Sequence, residues 1–514
     1  MTHARASFAL SCLQRATVAV ALAMPLLHLA PAHAQVALPR MGDGADITTN
    51  EERRLGDRII RSLYRDPDYL DDPQLHAYVM RIWEPLVQAS QARGDLSEEL
   101  QERFAWQVLL GRDKSINAFA LPGGYLGVHL GLIAAVTSRD ELATVLAHEL
   151  THVTQRHIAR MMGAEKRTMP LLIASMVLGA LAASGSPDAA NALIVGGQAA
   201  ALQNQLSFSR DMEREADRIG YSLLAPAGFA PQGAVSMFEK LQQASRLNDN
   251  GSWPYLRSHP LTTERMADMQ ARIPQHQTQP AANSLEHAMM AARAQVLSRP
   301  GTDKLRQWTE MPHTEAFAKL DTLQQAGALY AAALSHAQLR NPQAAQATWQ
   351  RLQDLVQGAN AAPSQALQEV RWLGMELALG ERQAQAALAL ATPGSAHTLR
   401  PELLLGGQAL LMAGQAQQAS DRLQIWVSDH PHDAAAWRLL SQAWQAQGQS
   451  LRAIRAEAEA HVAHYDYAAA VDRFKAAQDL ARRSHSAADH IEASIIDTRL
   501  REVDSLLREQ AREQ

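Results

Sequence analysis

The sequence is poor in cysteine and carries little excess charge. Cys12 is the only cysteine among 514 residues, and it lies before the first apolar run. A lipidated cysteine would follow that run, so the sequence excludes a lipoprotein, and the mature chain has no disulfide framework. Lysine and arginine number 48 against 53 acidic residues, which gives a formal net charge of −5. This mild acidity argues against nucleic acid as a partner.

The first 34 residues predict a cleaved signal peptide. Arg5 and Arg15 precede an apolar run from Ala16 to Leu29, and the cleavage pattern Ala32-His33-Ala34 follows. A membrane anchor is the alternative, but the run is short and contains Pro25. Removal of residues 1–34 takes away two arginines and no acidic residue, so the formal charge of the mature chain becomes −7.

Long apolar runs are also lacking. Residues 170–200 are the most apolar later segment, but Gly-Ser-Pro-Asp interrupts them, and each piece is too short to cross a bilayer. Two interpretations remain open, namely a buried helical hairpin or a surface that touches a membrane or a hydrophobic client. We expect at most a peripheral contact with a membrane.

Residues 146–158, LAHELTHVTQRHI, lie in a predicted helix that carries three histidines. Ser138 and Glu141 match a capping box at the start of this helix. Its apolar residues recur at helical spacing, at Leu142, Val145, Leu146, Leu150 and Val153.

The histidines of this helix follow the pattern H-E-x-x-H. His148 and His152 are four residues apart, so both imidazoles can reach one zinc ion, and Glu149 is placed as a general base. His157 falls off this spacing, and we expect it to be solvated. Helices without a metal also contain this short pattern, so a metal site is indicated only if the sequence supplies a third ligand.

The segment 207–224, SFSRDMEREADRIGYSLL, supplies acidic residues on a second predicted helix. Glu213 and Asp217 share one face, so Glu213 can bind the ion while Asp217 holds the outer nitrogen of a ligand histidine. Glu215 points away from Glu213, and we expect it to be solvated.

The rest of the chain is predicted to be mainly α-helical. Residues 51–91 have a helical pattern. In residues 104–133, apolar residues occupy every second position at Trp106, Val108 and Leu110, which indicates a small hairpin or sheet. From about residue 285 a 34-residue repeat relates Leu403 and Gly407 to Trp437 and Ser441, which resembles the tetratricopeptide pattern.

The outer repeats are degenerate. Leu329 and Trp349 fit the template upstream, and Ala470 and Phe474 indicate a further second helix that is half a repeat out of phase. We therefore expect a signal peptide at 1–34, an α+β protease domain with a small β-sheet at 35–280, and an all-α solenoid at 285–514.

The two motifs together, H-E-L-T-H and S-R-x-x-E-x-E-A-D, resemble those of the M48 family of zinc metallopeptidases. The resemblance covers roughly residues 48–272 and implies a zincin-like fold with one zinc ion per chain. It implies His148, His152 and Glu213 as the ligands and Glu149 as the catalytic base.

Two further segments acquire a meaning through this resemblance. The stretch 257–265, RSHPLTTER, implies His259 as a fourth zinc ligand that switches the enzyme off, and Arg265 as support for the site or for the reaction's oxyanion. His259 as a simple loop cap is the alternative. The stretch 116–124, INAFALPGG, implies an edge strand whose Asn117 and Ala118 bind substrate, although an ordinary covered strand remains possible.

The resemblance to periplasmic members of the family also implies a biological role. It implies a periplasmic endopeptidase in outer-membrane protein quality control, with misfolded or stalled outer-membrane proteins as clients and the beta-barrel assembly machinery as a partner of the repeats. The alternative is a chaperone or scaffold that acts by binding through its repeats, with proteolysis secondary or dormant. A zinc hydrolase for non-peptide substrates is disfavoured, because a substrate edge strand suits peptides.

Overall fold

The computed structural model describes residues 47–164, 210–246, 253–272, 284–359, 364–391, 399–483 and 487–512. The predicted signal peptide and the apolar segment 170–200 lie outside the described residues. Over the described ranges, no helix combines the length and the apolar character that a membrane crossing requires. The fold is mainly α-helical with one small sheet and a C-terminal helical solenoid, which confirms the predicted fold class.

A mixed four-stranded sheet forms the β part of the described fold. Its strands are β1 (Tyr69–Leu70), β2 (Gln107–Gly111), β3 (Ala118–Leu121) and β4 (Tyr125–His129). The spatial order is β1-β2-β4-β3, with β2 parallel to β4 and the outer pairs antiparallel. Strand β3 therefore lies at one edge of the sheet.

Two details of the sheet differ from the prediction. The helical pattern assigned to residues 51–91 is wrong at β1, since two residues carry too little periodicity to be recognised. Residues Val108, Leu109 and Leu110 of β2 are all buried, because protein covers both faces of this strand. The turn from β3 to β4 needs glycine, because Gly123 and Gly124 have φ of +77° and +84°.

Helices surround the sheet. Those of the described residues before 273 are α1 (Thr49–Leu63), α2 (Pro73–Ala92), α3 (Glu98–Arg103), α4 (Leu130–Ala135), α5 (Arg139–Thr154), α6 (His157–Ala164), α7 (Arg210–Leu224), α8 (Gln232–Arg246), α9 (Tyr255–Ser258) and α10 (Thr263–Arg272). Helix α5 carries the H-E-x-x-H residues and packs against α2, α7, α8 and β3. Its position at the centre of this half explains why nearly all of its side chains are buried.

The predicted capping box of α5 forms only in part. Ser138 Oγ accepts a hydrogen bond from the Glu141 backbone N–H at 3.2 Å. The Glu141 carboxylate accepts instead from the backbone N–H of Thr137 and from Lys240, each at 2.7 Å. Lys240 belongs to α8, so a tertiary ion pair replaces the local half of the box.

The C-terminal half is a solenoid of helices joined by short connections. Within the described ranges these helices are α11 (Leu285–Leu297), α12 (Thr302–Glu310), α13 (Glu315–Ala318), α14 (Thr322–Gln338), α15 (Pro342–Gly358), α16 (Ser364–Gly380), α17 (Ala384–Leu390), α18 (Arg400–Met412), α19 (Ala416–Asp429), α20 (Ala434–Ala446), α21 (Ser450–Ala463), α22 (Tyr467–Ala481) and α23 (Ala487–Arg512), with a 3₁₀ turn at Met311–His313. From α14 onward consecutive helices pack against one another. A Cβ at Gly407 would stand 2.8 Å from Leu439, so the small residue at this repeat position lets α20 approach α18.

One assignment in the solenoid was wrong. Ala470 and Phe474 lie in α22, which packs between α21 and α23 as the first helix of a new pair. The predicted second helix was out of phase for this reason. Its buried small residues resemble those of a second helix because α22 also has neighbours on two sides.

Hydrogen bonds from arginines to carboxyl groups, partly or fully buried, join the solenoid to the N-terminal half. Arg81 of α2 donates to Glu286 of α11 and to Glu369 of α16, at 2.7 and 2.5 Å. Arg293 of α11 donates to both carboxylate oxygens of Asp72, the N-cap of α2. One apolar cluster extends across the same junction, from Leu70 to Leu377. The two halves therefore share a single core here.

A second junction forms at the turn between α21 and α22. The Tyr465 hydroxyl lies 2.8 Å from the Tyr125 hydroxyl of β4, and the His464 ring stacks at 4.2 Å on Tyr64, the C-cap residue of α1. Tyr465 has a φ of 56°, which is rare for a bulky residue. The contacts to β4 and α1 hold the turn in this strained conformation.

The junction predicts a pH dependence of stability. Burial raises the pKa of Glu369 to about 8, against the opposing effect of Arg81. The folded protein thus holds this proton more tightly than the unfolded chain does. The corresponding stability is full below about pH 4.5 and is lost as the pH rises through about 8. We expect Glu369→Gln, which stays uncharged, to be more stable than the wild type at pH 9 and to lose this dependence.

The measurement is the denaturant midpoint at pH values from 5 to 9. Glu376→Gln is the matched control, since Glu376 lies on the same helix but is partly exposed and paired with Arg293. The Glu376→Gln protein should have no higher denaturant midpoint than the wild type at pH 9. Parallel pH curves for Glu369→Gln and the wild type would contradict the prediction.

Candidate metal centre

Helix α5 brings two histidines and one glutamate to a buried point. His148, Glu149 and His152 are 5%, 0% and 1% exposed. The Nε2 atoms of His148 and His152 lie 3.0 Å apart, as expected for residues one helical turn apart that point to one centre.

Helix α7 crosses α5 and adds the carboxylates. Glu213 Oε2 lies 3.4 Å from His148 Nε2, and Glu213 Oε1 lies 3.5 Å from His152 Nε2. Gly220 allows the two helices to pack closely, because a Cβ there would stand 3.0 Å from the backbone of Ala147. The close crossing is what lets a short glutamate side chain reach both imidazoles.

A fourth donor comes from the segment after α9. His259 Nδ1 lies 2.8 Å from Glu213 Oε1 and 3.2 Å from His148 Nε2, and its Nε2 lies 3.3 Å from Glu149 Oε1. The His259 backbone N–H donates to the carbonyl of Tyr255 at 2.9 Å, and the two rings stack. His259 therefore lies between Glu213 and Glu149.

These four side chains fit a metal ion. One donor atom from each of His148, His152, Glu213 and His259 lies within 4.8 Å of the other three. Donors about 2.0–2.2 Å from a tetrahedral zinc ion stand about 3.3–3.5 Å apart, which is close to the distances above. Imidazole nitrogen and carboxylate oxygen are also donors that zinc accepts.

Asp217 and Arg265 lie behind this cluster. Asp217 Oδ1 lies 3.0 Å from His148 Nδ1, the contact that the spacing of α7 predicts. Arg265 of α10 donates to both oxygens of Asp217, at 2.7 and 2.8 Å, and its Nη1 lies 2.7 Å from Glu213 Oε2. Its guanidinium group is thus engaged by carboxylates and by the Pro260 carbonyl.

The edge strand β3 runs beside Glu149. The Ala120 N–H donates to Glu149 Oε2 at 2.8 Å, so this backbone group points away from β4. The His129 N–H donates to the Asn117 carbonyl, so the bonds of Asn117 point toward β4 and those of its neighbour Ala118 point outward. Ala118 is fully buried, and Asn117 Oδ1 is buried without a partner among the described residues.

Two predictions about neighbouring residues were wrong. His157 was expected to be solvated, but it is fully buried, with its Nδ1 2.8 Å from His152 Nδ1. Glu215 was expected to be solvated, but it is half-buried and lies 3.0 Å from His157 Nε2. Helical spacing fails here because α5 ends at Thr154 and Arg156 has a φ of 51°, which starts a new helix at His157.

Burial and charge set the ionisation of the cluster. Burial raises the pKa of Glu149, although His259 and His148 oppose this shift. Burial also opposes ionisation of Glu213, yet His259 and His148 hold its pKa well below the usual range. Burial would lower the pKa of His148, but Glu213 and Asp217 raise it to about 9. A metal ion must displace this proton, so its affinity falls as the pH is lowered.

Buried imidazole and carboxylate donors on crossing helices, with a glutamate beside them that can act as a base, define a metallopeptidase site. Comparisons of the sequence agree. The profile of peptidase family M48 matches residues 73–273. The chain is 30% identical over 447 residues to the beta-barrel assembly-enhancing protease of Escherichia coli (strain K12). The aligned region covers 85% of this chain and 87% of that protein.

Two further similar proteins are also peptidases by name. The beta-barrel assembly-enhancing protease of Yersinia pestis is 30% identical over 432 residues, 83% of this chain and 84% of that protein. The mitochondrial metalloendopeptidase OMA1 of Arabidopsis thaliana is 35% identical over 202 residues, 39% of this chain and 36% of that protein. The chain therefore belongs to peptidase family M48.

The contacts of Arg265 predict how much the site depends on charge compensation. Arg265→Met leaves Asp217 and Glu213 buried without a guanidinium group, so we expect the free energy of unfolding in chelator to fall by about 3–5 kcal/mol. Added zinc should restore part of this loss, because a cation offsets the charge of Glu213. Thermal unfolding with chelator and with zinc measures both effects.

Arg214→Met is the matched control. The Arg214–Asp268 pair joins the same two helices, α7 and α10, but its side chains are 48% and 39% exposed. Its loss should cost at most about 1 kcal/mol. Equal destabilisation by the two substitutions would refute the special role of Arg265.

Proposed function

We propose that the protein is a zinc-dependent endopeptidase of the periplasm that degrades misassembled outer-membrane proteins and assists their assembly. The observation that carries the proposal is the convergence of His148, His152 and Glu213 beside Glu149. The names of the similar Escherichia coli and Yersinia pestis proteins support the biological context. The predicted signal peptide at 1–34 supports export.

In this proposal His148, His152 and Glu213 hold one zinc ion. When bound, zinc polarises the substrate carbonyl and makes water a nucleophile near neutral pH. Glu149 takes a proton from the attacking water and passes it to the leaving amine. The raised pKa of Glu149 suits this exchange, because a base that titrates nearer to neutrality can both accept and return a proton.

Charge and orientation at the site come from the residues behind it. Asp217 keeps the ring of His148 oriented through Nδ1, and Arg265 holds Asp217 and Glu213 in place. Of the two roles implied for Arg265, its contacts favour support of the site over a direct contact with the oxyanion.

Strand β3 is the proposed substrate edge. The outward backbone groups of Ala118 and the carbonyl of Ala120 can pair with an extended peptide. Because the Ala120 N–H holds Glu149, a peptide in that register passes next to the base. Asn117, the residue before the strand, has a buried side-chain oxygen without a partner among the described residues, and we assign this amide to the same cleft.

The remaining parts of the chain complete the proposal. Residues 35–280 form the M48 domain, and residues 285–514 form a tetratricopeptide domain that holds clients or the beta-barrel assembly machinery. The 34-residue repeat and the stacked helices α18–α21 support the second assignment.

The test of the chemistry is Glu149→Gln. This substitution keeps every proposed ligand but removes the base, so the purified variant should retain zinc while cleavage of an unfolded protein falls by about 10²–10⁴-fold. Metal analysis and digestion of a reduced, alkylated protein measure the two properties. Wild-type cleavage by a zinc-loaded variant would refute the assignment of the base.

His259 is proposed as a switch that fills the fourth position and blocks Glu149. If the closed arrangement is favoured by about 1.4 kcal/mol or more, its loss raises cleavage by about tenfold or more. We therefore expect His259→Ala to bind zinc through the other three ligands and to cleave faster than the wild type. The double variant with Glu149→Gln is the control and should be inactive. No gain in rate at equal zinc content would favour the simpler role of a loop cap.

The same variants separate proteolysis from a chaperone role. The contact of His259 with Glu149 favours a restrained enzyme, which leaves binding through the repeats as the second candidate for the main activity. We expect the Glu149→Gln protein to trap outer-membrane clients in cells without rescuing an assembly defect that needs degradation. Full rescue by this variant would favour the chaperone.

A further inference from the structure

The structure contains a buried histidine that the proposed chemistry does not use. His157 begins α6, three residues after the end of α5. The chain turns through Arg156, whose φ of 51° is unfavourable for a residue with a side chain. Arg156 donates to Glu52 and to the Ile47 carbonyl, each at 2.8 Å, and these bonds hold the turn. The turn directs His157 back toward His152.

His157 connects a metal-site histidine to a carboxylate. Its Nδ1 lies 2.8 Å from His152 Nδ1, and its Nε2 lies 3.0 Å from Glu215 Oε2. Arg160 Nη1 donates to the same oxygen at 2.9 Å. The side chains of His152 and His157 have no exposed surface, whereas Glu215 and Arg160 are 21% and 17% exposed. The chain of contacts thus leads from the metal centre outward to α7.

These contacts determine where the protons lie. Glu215 as a carboxylate only accepts hydrogen bonds, so His157 Nε2 carries a hydrogen. A neutral His157 then has a lone pair on Nδ1, and His152 must donate from its own Nδ1. The lone pair of His152 is therefore on Nε2, the atom that lies 3.5 Å from Glu213 in the metal centre.

We propose that His157, held by Glu215 and Arg160, is a positioning residue that fixes the tautomer and the ring orientation of His152 for metal binding. The proposal rests on the function proposed above. The two H-E-x-x-H histidines then have different outer partners. His148 uses the carboxylate of Asp217 directly, and His152 uses an imidazole backed by a carboxylate. Outer partners of this kind commonly change metal affinity by about 10–100-fold.

The experiment measures the zinc dissociation constant by chelator competition, together with thermal unfolding in excess chelator. His157→Phe keeps a ring but removes the acceptor, so zinc affinity should fall by about 10–100-fold. His157→Gln keeps an oxygen that can accept from His152 and should remain close to the wild type. His287→Phe is the matched control, since His287 is also buried but contacts Tyr78 and the Val136 carbonyl. It should not change zinc affinity.

A second pair of variants tests the outer end and does not disturb the core. Glu215→Ala removes the acceptor for His157, whereas Glu215→Gln keeps an oxygen that Arg160 can orient. We expect weaker zinc binding by Glu215→Ala and near-normal binding by Glu215→Gln. These half-buried positions keep the test available if His157→Phe does not fold.

The outcomes separate the two proposals. If the wild type itself binds no zinc, the proposed function fails. If the wild type binds zinc and the His157→Phe and Glu215→Ala proteins bind it equally well, the positioning role fails while the function stands. A lower unfolding temperature without a change in zinc affinity would make His157 a packing residue only.

Discussion

Three carboxylates buried in one pocket are the constraint on which the structure of this protein depends. Glu149, Glu213 and Asp217 are each at most 6% exposed, and buried charges of one sign are costly without partners. Arg265 offsets two of them, and the imidazoles of His148 and His259 lie against all three. A divalent cation held by His148, His152, Glu213 and His259 would supply the remaining positive charge. The crossing of α5 and α7, the position of α10 and the path of the segment after α9 all bring these partners together.

The sequence predicts the part of the site that follows regular helix geometry. His148, His152, Glu213 and Asp217 lie at i, i+4 spacing on two helices, and the structure brings them together. The prediction failed at His157 and Glu215, because helical periodicity does not extend across the left-handed turn at Arg156. Arg156 and His157, four and five positions after His152, mark this end of the helix, but nothing in the local sequence indicates that the chain reverses there.

In the fold, too, sequence patterns predict the features that depend on neighbouring residues but not those that depend on tertiary contacts. Helices, the small sheet and the 34-residue repeat follow from periodicity, whereas the two-residue strand β1 does not. The Glu141 side chain looked like half of a capping box, but Lys240 lies close enough to engage it. Pairs such as Arg81 with Glu369 and Arg293 with Asp72 join residues more than 200 positions apart, so no local pattern can reveal them. They make the solenoid part of the same core as the protease half.

The tyrosine pair at the second junction has a mechanical consequence. Tyr465 is in the turn between two solenoid helices, and Tyr125 pairs within the sheet with Leu121 of the edge strand. The distal repeats are thus connected to the strand beside Glu149 through one hydroxyl contact and one residue pair of the sheet. A displacement of the turn at Tyr465 would therefore have to be accommodated at the end of the strand whose Ala120 N–H holds Glu149.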